Sequence, residues 1–454
     1  MTSAAEQFAS NLSWGSFAKA EELKKRILFT LGALIVFRLG TFIPLPGINP
    51  EAFAQAFQSQ QGGLLGTLNI FAGGAVERMA IFALNIMPYI SASIIMQLMA
   101  AVVPSLEKIK KEGEQGRRQI NQYTRYLTVF LATMQGYFIA VQLQSNAGGG
   151  LAVVANPGPI FVITTVVTLV GGVMFLLWLG EQITSRGIGN GTSLIIFAGI
   201  VAELPRATAG LFALGRGAGA GGASLPGPMV FVVLLLMLAL TAFVVFMERS
   251  QRRIIIQYPR RQVGQRMTQG EKSHLPLKLN TSGVIPPIFA SSLLLLPATA
   301  AGAIGTDQPD WLQAMQVWLA PQHPLYLTLY ALGIFAFSYV YTSAVFNVTD
   351  VADNLKKYGG FIQGYRPGAR TAEYLDYVLT RLTFIGAAYL TLVCILPEVL
   401  KMAGGQAIPV YIGGTSLLIV VSVTLDTVGQ IQGHLLAQQY EGLIKKSKLR
   451  GGKK

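Results

Sequence analysis

Charged residues are scarce in this chain. Only 12% of its 454 residues are Asp, Glu, Lys or Arg, while 52% are hydrophobic. An ordinary soluble domain carries about twice that share of charge. The composition therefore excludes a soluble globular protein and indicates a polytopic membrane protein. Cysteine is equally scarce, because the single Cys394 excludes an intrachain disulfide and lies in an apolar run typical of packing.

The usual marks of an enzyme are also missing. The three histidines, His274, His323 and His434, do not have the spacing of metal ligands, and no nucleophile motif or phosphate-binding loop stands out. We therefore expect neither catalysis nor a cofactor. The polar N-terminal stretch lacks the apolar core of a cleavable signal peptide, so we expect none.

Carboxylates are nearly absent from the apolar runs. Asp426 is the clearest exception, and a structural role satisfied by neighbouring polar groups is the simplest interpretation of it. Secondary transporters coupled to protons or sodium generally need intramembrane carboxylates or broken helices. A transporter of a small solute is therefore disfavoured, although the residues alone leave it open.

Long apolar runs fill most of the chain. Because a helix of roughly 20 residues crosses a bilayer, these runs predict an all-α fold with ten transmembrane helices. Arg38 lies in the first run, where a charge is costly, so it either extends toward the lipid headgroups or faces the protein interior, and we favour the interior. The predicted spans are residues 27–43, 78–101, 123–144, 159–179, 192–212, 228–247, 283–304, 325–346, 381–400 and 414–434.

Basic residues are distributed unequally between alternate loops. The net charge is +14, and 30 of the 35 lysines and arginines fall in the two termini and every second loop. Cytoplasmic loops of membrane proteins carry this excess. Both termini and the two large loops, 248–282 and 347–380, are therefore predicted to be cytoplasmic.

The ten predicted spans divide into two groups of five. Residues 1–214 form the first half, the Gly-rich stretch 215–227 forms a hinge, and residues 228–454 form the second half. An odd number of spans per half gives the halves opposite orientations. This arrangement predicts a pseudo-symmetric inverted repeat around a central path.

The span 78–101 carries an unusual stripe. At 100° per residue, Ile86, Ile90, Ser93 and Gln97 fall on one face. Small polar groups in a span either join helices together or line a water-filled path. Just before it, the short Gly-flanked run 62–74 is either an interfacial helix or a movable stopper.

The two large cytoplasmic loops are rich in basic residues. Loop 248–282 alternates apolar and basic residues, which predicts a β-hairpin with a basic tip near Arg260 to Arg266. Topology alone could explain the charges of one loop. The excess in both favours a large anionic partner, such as RNA or an acidic protein surface.

Several long motifs lie along the chain in a specific order. They are NIMPYISASIIMQL, WLGEQITSRGIGNG, ERSQRRI, SHLPLKLN, SGVIPPIFASSLLLLPA, ADNLKKYGGFIQGYRPG and GGTSLLIVVSV. These motifs resemble those of the SecY family, the channel-forming subunit of the bacterial Sec protein-translocation machinery, and they occur in the family order between about residues 20 and 445.

The resemblance implies an hourglass pore with a plug and a lateral gate between span 78–101 and span 283–304. The plug would be residues 64–74. The family often has a further aliphatic residue where this chain has Thr192. The residues implied are Ile86, Ile90, Ile196, Ile288 and Ile419 for the pore ring, Leu64, Leu65, Leu68, Ile70 and Phe71 for the plug, and Ser93, Gln97, Ser291 and Ser292 for the lateral gate.

The resemblance also implies partners and a location. They are the small membrane subunits SecE and SecG, the SecA motor ATPase, the ribosome, anionic lipids, and secretory or membrane proteins with signal sequences, at the bacterial cytoplasmic (inner) membrane. The partner-binding residues implied for the ribosome or motor are Arg366, Arg260, Arg261, Arg266, Lys356 and Lys357.

Overall fold

The computed structural model describes most of the chain. The described residues are 21–58, 69, 71–145, 153–216, 227–258, 262–263, 266–267, 272–302, 318–319, 323–404 and 413–451. Most of the predicted plug and part of the basic tip, including Leu64, Leu65, Leu68, Ile70, Arg260 and Arg261, lie outside these residues.

Helices dominate the described residues, as the long apolar runs predict. The helices are α1 (Glu21–Gly40), α2 (Pro50–Gln58), α3 (Met87–Val102), α4 (Pro104–Lys111), α5 (Glu114–Ser145), α6 (Pro159–Arg186), α7 (Gly191–Gly215), α8 (Gly227–Arg249), α9 (Ile285–Gly302), α10 (Pro324–Val345), α11 (Val348–Lys357), α12 (Ala369–Gly404) and α13 (Gly414–Gly451). The strands are β1 (Gln251–Gln257), β2 (Gln262–Val263), β3 (Arg266–Met267), β4 (Lys272–Lys278) and β5 (Phe361–Ile362).

Seven stretches of helix among the described residues are long and apolar enough to cross a membrane. A bent pair, α3 with α4, makes an eighth candidate. Helix α1 and the shorter apolar helix α9 lie at two further predicted spans. This set is consistent with the predicted count of ten. Helix α8 carries the exposed Phe231, Leu235 and Leu238, which is the surface expected of a helix facing lipid.

The second predicted span is shorter as a helix than its apolar run. The structure has turns from Ala72 to Ile86, and helix α3 begins only at Met87. Met79 and Asn85 have positive φ angles of 43° and 49°, which a right-handed helix cannot contain. The expected single helix over residues 78–101 is therefore wrong in its first half.

The chain forms two compact units. The first comprises Met1–Tyr89, Val129–Arg206 and Ile419–Lys454. Its main core joins the turns around Ala75 and Ala80 to Leu169 and Val173 of α6. The second unit comprises Ile90–Thr128 and Ala207–Leu418.

In the second unit, α10 packs against both α9 and α12. The rings of Phe289 and Phe337 meet edge to face with their centroids 4.2 Å apart, an arrangement that aromatic pairs favour.

Small sheets interrupt the helical fold on loops 248–282 and 347–380. Strands β1 and β4 pair antiparallel over seven residues, which confirms the predicted hairpin. Strand β5, from the second loop, pairs with the other edge of β1 to give the order β4-β1-β5. The fold is therefore not purely helical. Ile254, Leu277 and Ile362 of this sheet are buried with Leu375 and Val378 of α12.

Glycines allow two helix ends to approach another backbone closely. In the first unit, a Cβ at Gly191 would lie 1.9 Å from the carbonyl oxygen of Gly180. In the second unit, a Cβ at Gly414 would lie 2.0 Å from the carbonyl oxygen of Val393. Any larger residue at either position would therefore force the backbones apart.

Candidate functional site

Helix α3 carries the first predicted gate residues. The amide of Gln97 donates a hydrogen bond to the hydroxyl of Ser93 at 3.4 Å, so the two lie on one face of the helix. Ile90 on the same helix is half-buried, and Gln97 is exposed. Ile86 is fully buried but precedes the helix, so the helical stripe begins at Ile90 and not at Ile86 as the periodicity predicts.

Helix α9 carries the corresponding residues of the second predicted gate helix. The hydroxyls of Ser291 and Ser292 both donate to the carbonyl of Ile288, each at 2.8 Å. Ile288 and Ser292 are buried. Because both serines satisfy their hydroxyls on their own helix, this face presents small side chains that demand no polar partner.

Helix α7 contributes the predicted ring residue Ile196, which is buried. The helix begins at Gly191, within one residue of the predicted span 192–212. The side chain of Asn190 caps it by accepting a hydrogen bond from the backbone N–H of Thr192 at 3.2 Å. The hydroxyl of Thr192 donates to the same oxygen at 2.7 Å. Thr192 is therefore bound to the cap, one turn before Ile196.

Helix α13 carries the fifth predicted ring residue. Ile419 is buried near the start of this helix. Further along α13, the side chain of Gln430 accepts from the backbone N–H of Gly189 at 2.9 Å. This contact explains why a polar residue is tolerated in an apolar run, because it satisfies a backbone donor in the turn before α7.

The end of the predicted plug is fixed by hydrogen bonds. Phe71 is buried, and its carbonyl accepts from the side-chain amide of Asn85. The guanidinium of Arg38, from α1, donates to the carbonyl of Gly73. Arg38 therefore faces the protein interior, as its cost in lipid predicts.

An ion pair between the largely buried carboxylate of Glu77 and the half-exposed guanidinium of Arg206 lies beside this segment. Both oxygens of Glu77 pair with the guanidinium of Arg206, at 2.5 and 2.8 Å. The Arg206 guanidinium holds the pKa of Glu77 below its ordinary value, against the opposing effect of burial. Glu203, one turn earlier on α7, is also buried.

Exposed basic residues lie beside the three-stranded sheet of β4, β1 and β5. Arg366 lies in the turn between β5 and α12, and its carbonyl accepts from the hydroxyl of Thr371 at 2.8 Å. Lys356 and Lys357 end α11, and the side chains of all three basic residues are exposed. Arg266 begins β3 at the small second hairpin.

Comparison with known proteins decides the family. The SecY family profile matches residues 80–428. The chain belongs to the SecY family. It is 52% identical over 435 residues to the protein translocase subunit SecY of Escherichia coli strain K12, which covers 95% of this chain and 96% of that protein.

Solved structures show the same fold. A protein-conducting channel matches with a TM-score of 0.62 at 16% identity and covers 91% of this chain and 92% of that one. Sec61 in a canine ribosome–channel complex from the endoplasmic reticulum matches with a TM-score of 0.59 at 16% identity, covering 91% and 92%.

These findings establish the function. The chain is a multi-pass membrane subunit of a protein translocase, and it forms a protein-conducting channel. The alternative of a small-solute transporter is not favoured. The mostly helical, polytopic fold class expected from composition is confirmed.

Sequence reasoning overlooked two acidic residues of this SecY-family chain. Glu203 lies inside the predicted span 192–212, and Glu77 lies one residue before the span 78–101. The spacing of residues on α7 could have indicated Glu203. Glu203 and Arg206 follow Ile196 by seven and ten positions, so they share its helical face.

Proposed function

We propose that unfolded secretory polypeptides cross through a waist formed by the five isoleucines of the pore ring. The supporting observation is that four of them, Ile86, Ile196, Ile288 and Ile419, are buried. Aliphatic side chains dewet a narrow constriction and so resist ions. They also yield to any sequence, because they make no specific hydrogen bonds.

The lateral gate is formed by α3 and α9. Ser93 pairs with Gln97, and Ser291 and Ser292 pair with the carbonyl of Ile288. These hydrogen bonds lie within each helix, so they are kept when the two faces separate. An apolar segment then moves into lipid, while a charged residue at the membrane centre costs roughly 2.5–3.5 kcal/mol on insertion scales.

Residues 64–74 form the plug that closes the resting channel. The support is the burial of Phe71 and the hydrogen bonds that hold its backbone. A plug held by a few hydrogen bonds can leave the pore when a substrate enters, since each such bond contributes only about 1 kcal/mol.

The channel itself performs no catalysis and draws its energy from partners. Its exposed basic loops bind the SecA motor or the ribosome, with Arg366 as the main contact and Lys356, Lys357 and the Arg260–Arg266 tip as weaker ones. The support is the exposure of Arg366, Lys356 and Lys357 together with the positive charge of all these residues. SecE and SecG are the small membrane subunits of the complex, and the same basic loops attract anionic lipids.

The channel lies in the bacterial cytoplasmic (inner) membrane with both termini in the cytoplasm. The support is the concentration of 30 of 35 basic residues in the termini and alternate loops.

Site-specific photo-crosslinking tests the waist. A photoreactive residue replaces Ile90 or Ile288, and a radiolabelled secretory chain is stalled part-way across the assembled translocase. We expect crosslinks from both positions that disappear when the chain is released. Leu235 is the matched control, because it is an exposed aliphatic residue on the lipid-facing surface of α8 and should not crosslink to a translocating hydrophilic stretch. An engaged chain that crosslinks to neither Ile90 nor Ile288 would contradict the proposed path.

A further inference from the structure

One face of α7 carries four residues of different kinds. Ile196, Gly199, Glu203 and Arg206 are spaced by three, four and three positions, so they form a single stripe along the helix. Ile196 is the proposed ring residue. The other three residues are unnecessary for a hydrophobic seal, and two of them are charged in a membrane span, where charges are costly.

The backbone at the C-terminal end of the plug lies directly on this stripe. A Cβ at Gly199 would lie 2.7 Å from the carbonyl oxygen of Phe71, and a Cβ at Gly73 would lie 2.8 Å from the Cα of Gly199. Gly73 and Gly74 both have positive φ angles, 63° and 81°. The contact therefore requires glycine for space on the helix and for conformation on the facing segment.

Charged and polar side chains fix both ends of this segment. Before it, the side chain of Asn69 accepts from the backbone N–H of Glu77 at 2.9 Å. After it, Glu77 forms its two-pronged pair with Arg206 of α7. In the middle, Arg38 holds the carbonyl of Gly73.

Glu203 of α7 also contacts this segment. A Cβ at Gly74 would lie 2.5 Å from the Oε1 atom of Glu203, so the carboxylate lies against the turn itself. Glu203 is also close enough to Arg38 for electrostatic attraction. These contacts are directional, so they fix one position of the segment, whereas apolar packing would accept several.

We propose that Arg38, Glu77 and Arg206 are positioning residues that hold the C-terminal end of the plug against α7 and thereby set how readily the channel opens. This inference rests on the proposed function, because it takes residues 64–74 as the plug. Helix α7 carries both a ring residue and the anchor, so a displacement of α7 by a translocating chain loosens the seal and the plug together.

Resting ion conductance tests this proposal. The complete translocase containing Arg206→Gln or Glu77→Gln is reconstituted in planar bilayers, and conductance is measured without a substrate. We expect each variant to raise resting conductance several-fold and to relax the requirement for a signal sequence. Arg206→Lys keeps the charge but loses the two-pronged geometry, so it should give an intermediate value.

Arg117→Gln is the matched control. Arg117 pairs with Glu114, but both side chains are exposed and lie on α5 in the second unit. Its loss should leave conductance unchanged. Wild-type conductance in both Arg206→Gln and Glu77→Gln would overturn the proposal. If either protein fails to assemble, Gly199→Ala replaces it, since its methyl group displaces the segment without removing a charge, and wild-type conductance there would overturn the proposal equally.

Deletion of residues 64–68 separates this proposal from the assignment of the plug. If the deletion alone leaves conductance at the wild-type level, the plug assignment itself is wrong. If the deletion raises conductance and Arg206→Gln does not, only the anchor is wrong. In the channel that lacks residues 64–68, Arg206→Gln should not raise the resting conductance further. A further increase would mean that Arg206 acts through another element, contrary to the proposal.

Discussion

Arg38 illustrates what a single residue reveals before its structure is known. A charge inside an apolar run is costly in lipid, so the sequence favours an inward orientation over one that extends toward the headgroups. The partner of Arg38 cannot be predicted in the same way, because the carbonyl of Gly73 belongs to a segment 35 residues away. Phe42 adds a second contact, with the Arg38 guanidinium 5.4 Å from the ring centroid.

Glu77 gives a pH-dependent prediction. Arg206 stabilises its ionised form, so the pKa of Glu77 in the folded protein lies below its ordinary value of 4.5. The ionised carboxylate therefore contributes stability that is fully present above that value and is lost as the pH falls through the lower folded pKa. We expect the difference in Tm between wild type and Glu77→Gln to be constant from neutral pH down to about pH 5 and to shrink under more acidic conditions.

Thermal unfolding of the purified complex in detergent measures this difference. Glu373→Gln is the control, because Glu373 forms an exposed pair that should contribute little at any pH. A Tm difference for Glu77→Gln that is unchanged through the acidic range would mean that the ionised form of Glu77 is not the stabilising one.

The three-stranded sheet of β4, β1 and β5 shows the limits of prediction for an element. The alternation in loop 248–282 is long enough to predict β1 and β4 and their pairing. Strand β5 has only two residues and lies more than 100 positions later, so no local pattern indicates that it completes the sheet. The burial of Ile254, Leu277 and Ile362 against α12 supplies the stability that two residues cannot.

The two faces of β1 predict unequal effects of the same substitution. Ile254 is 6% exposed in the core of the sheet, while Ile255 is 48% exposed on the opposite face. Ile254→Ala should lower the free energy of local opening by about 2–4 kcal/mol, and Ile255→Ala should change it by less than about 1 kcal/mol. Amide hydrogen exchange of β1 measures both values. Equal loss of protection in the two variants would contradict the assigned faces.

The whole molecule was predictable in its spans and less so in its packing. Hydrophobic length and the motifs of the family give the polytopic helical fold, and the division at residue 215 stays a prediction. The two compact units are built from interleaved segments, and α3, α5, α7 and α13 each contain a boundary between them. Such interleaving depends on contacts between distant segments, which composition and periodicity do not encode.

The orientation of the whole molecule can be tested through its single cysteine. Cys394 is buried, so it should not react with a membrane-impermeant maleimide in the intact membrane. Lys356→Cys and Arg216→Cys each add one exposed thiol, at the end of α11 and just after α7. Because the basic residues mark the cytoplasmic side, Lys356→Cys should be labelled only in inverted membrane vesicles. Arg216→Cys should be labelled only in intact spheroplasts, and the unsubstituted chain should stay unlabelled in both. Labelling of both new thiols from one side would contradict the predicted orientation, because three predicted spans separate residue 216 from residue 356 and therefore place the two loops on opposite sides.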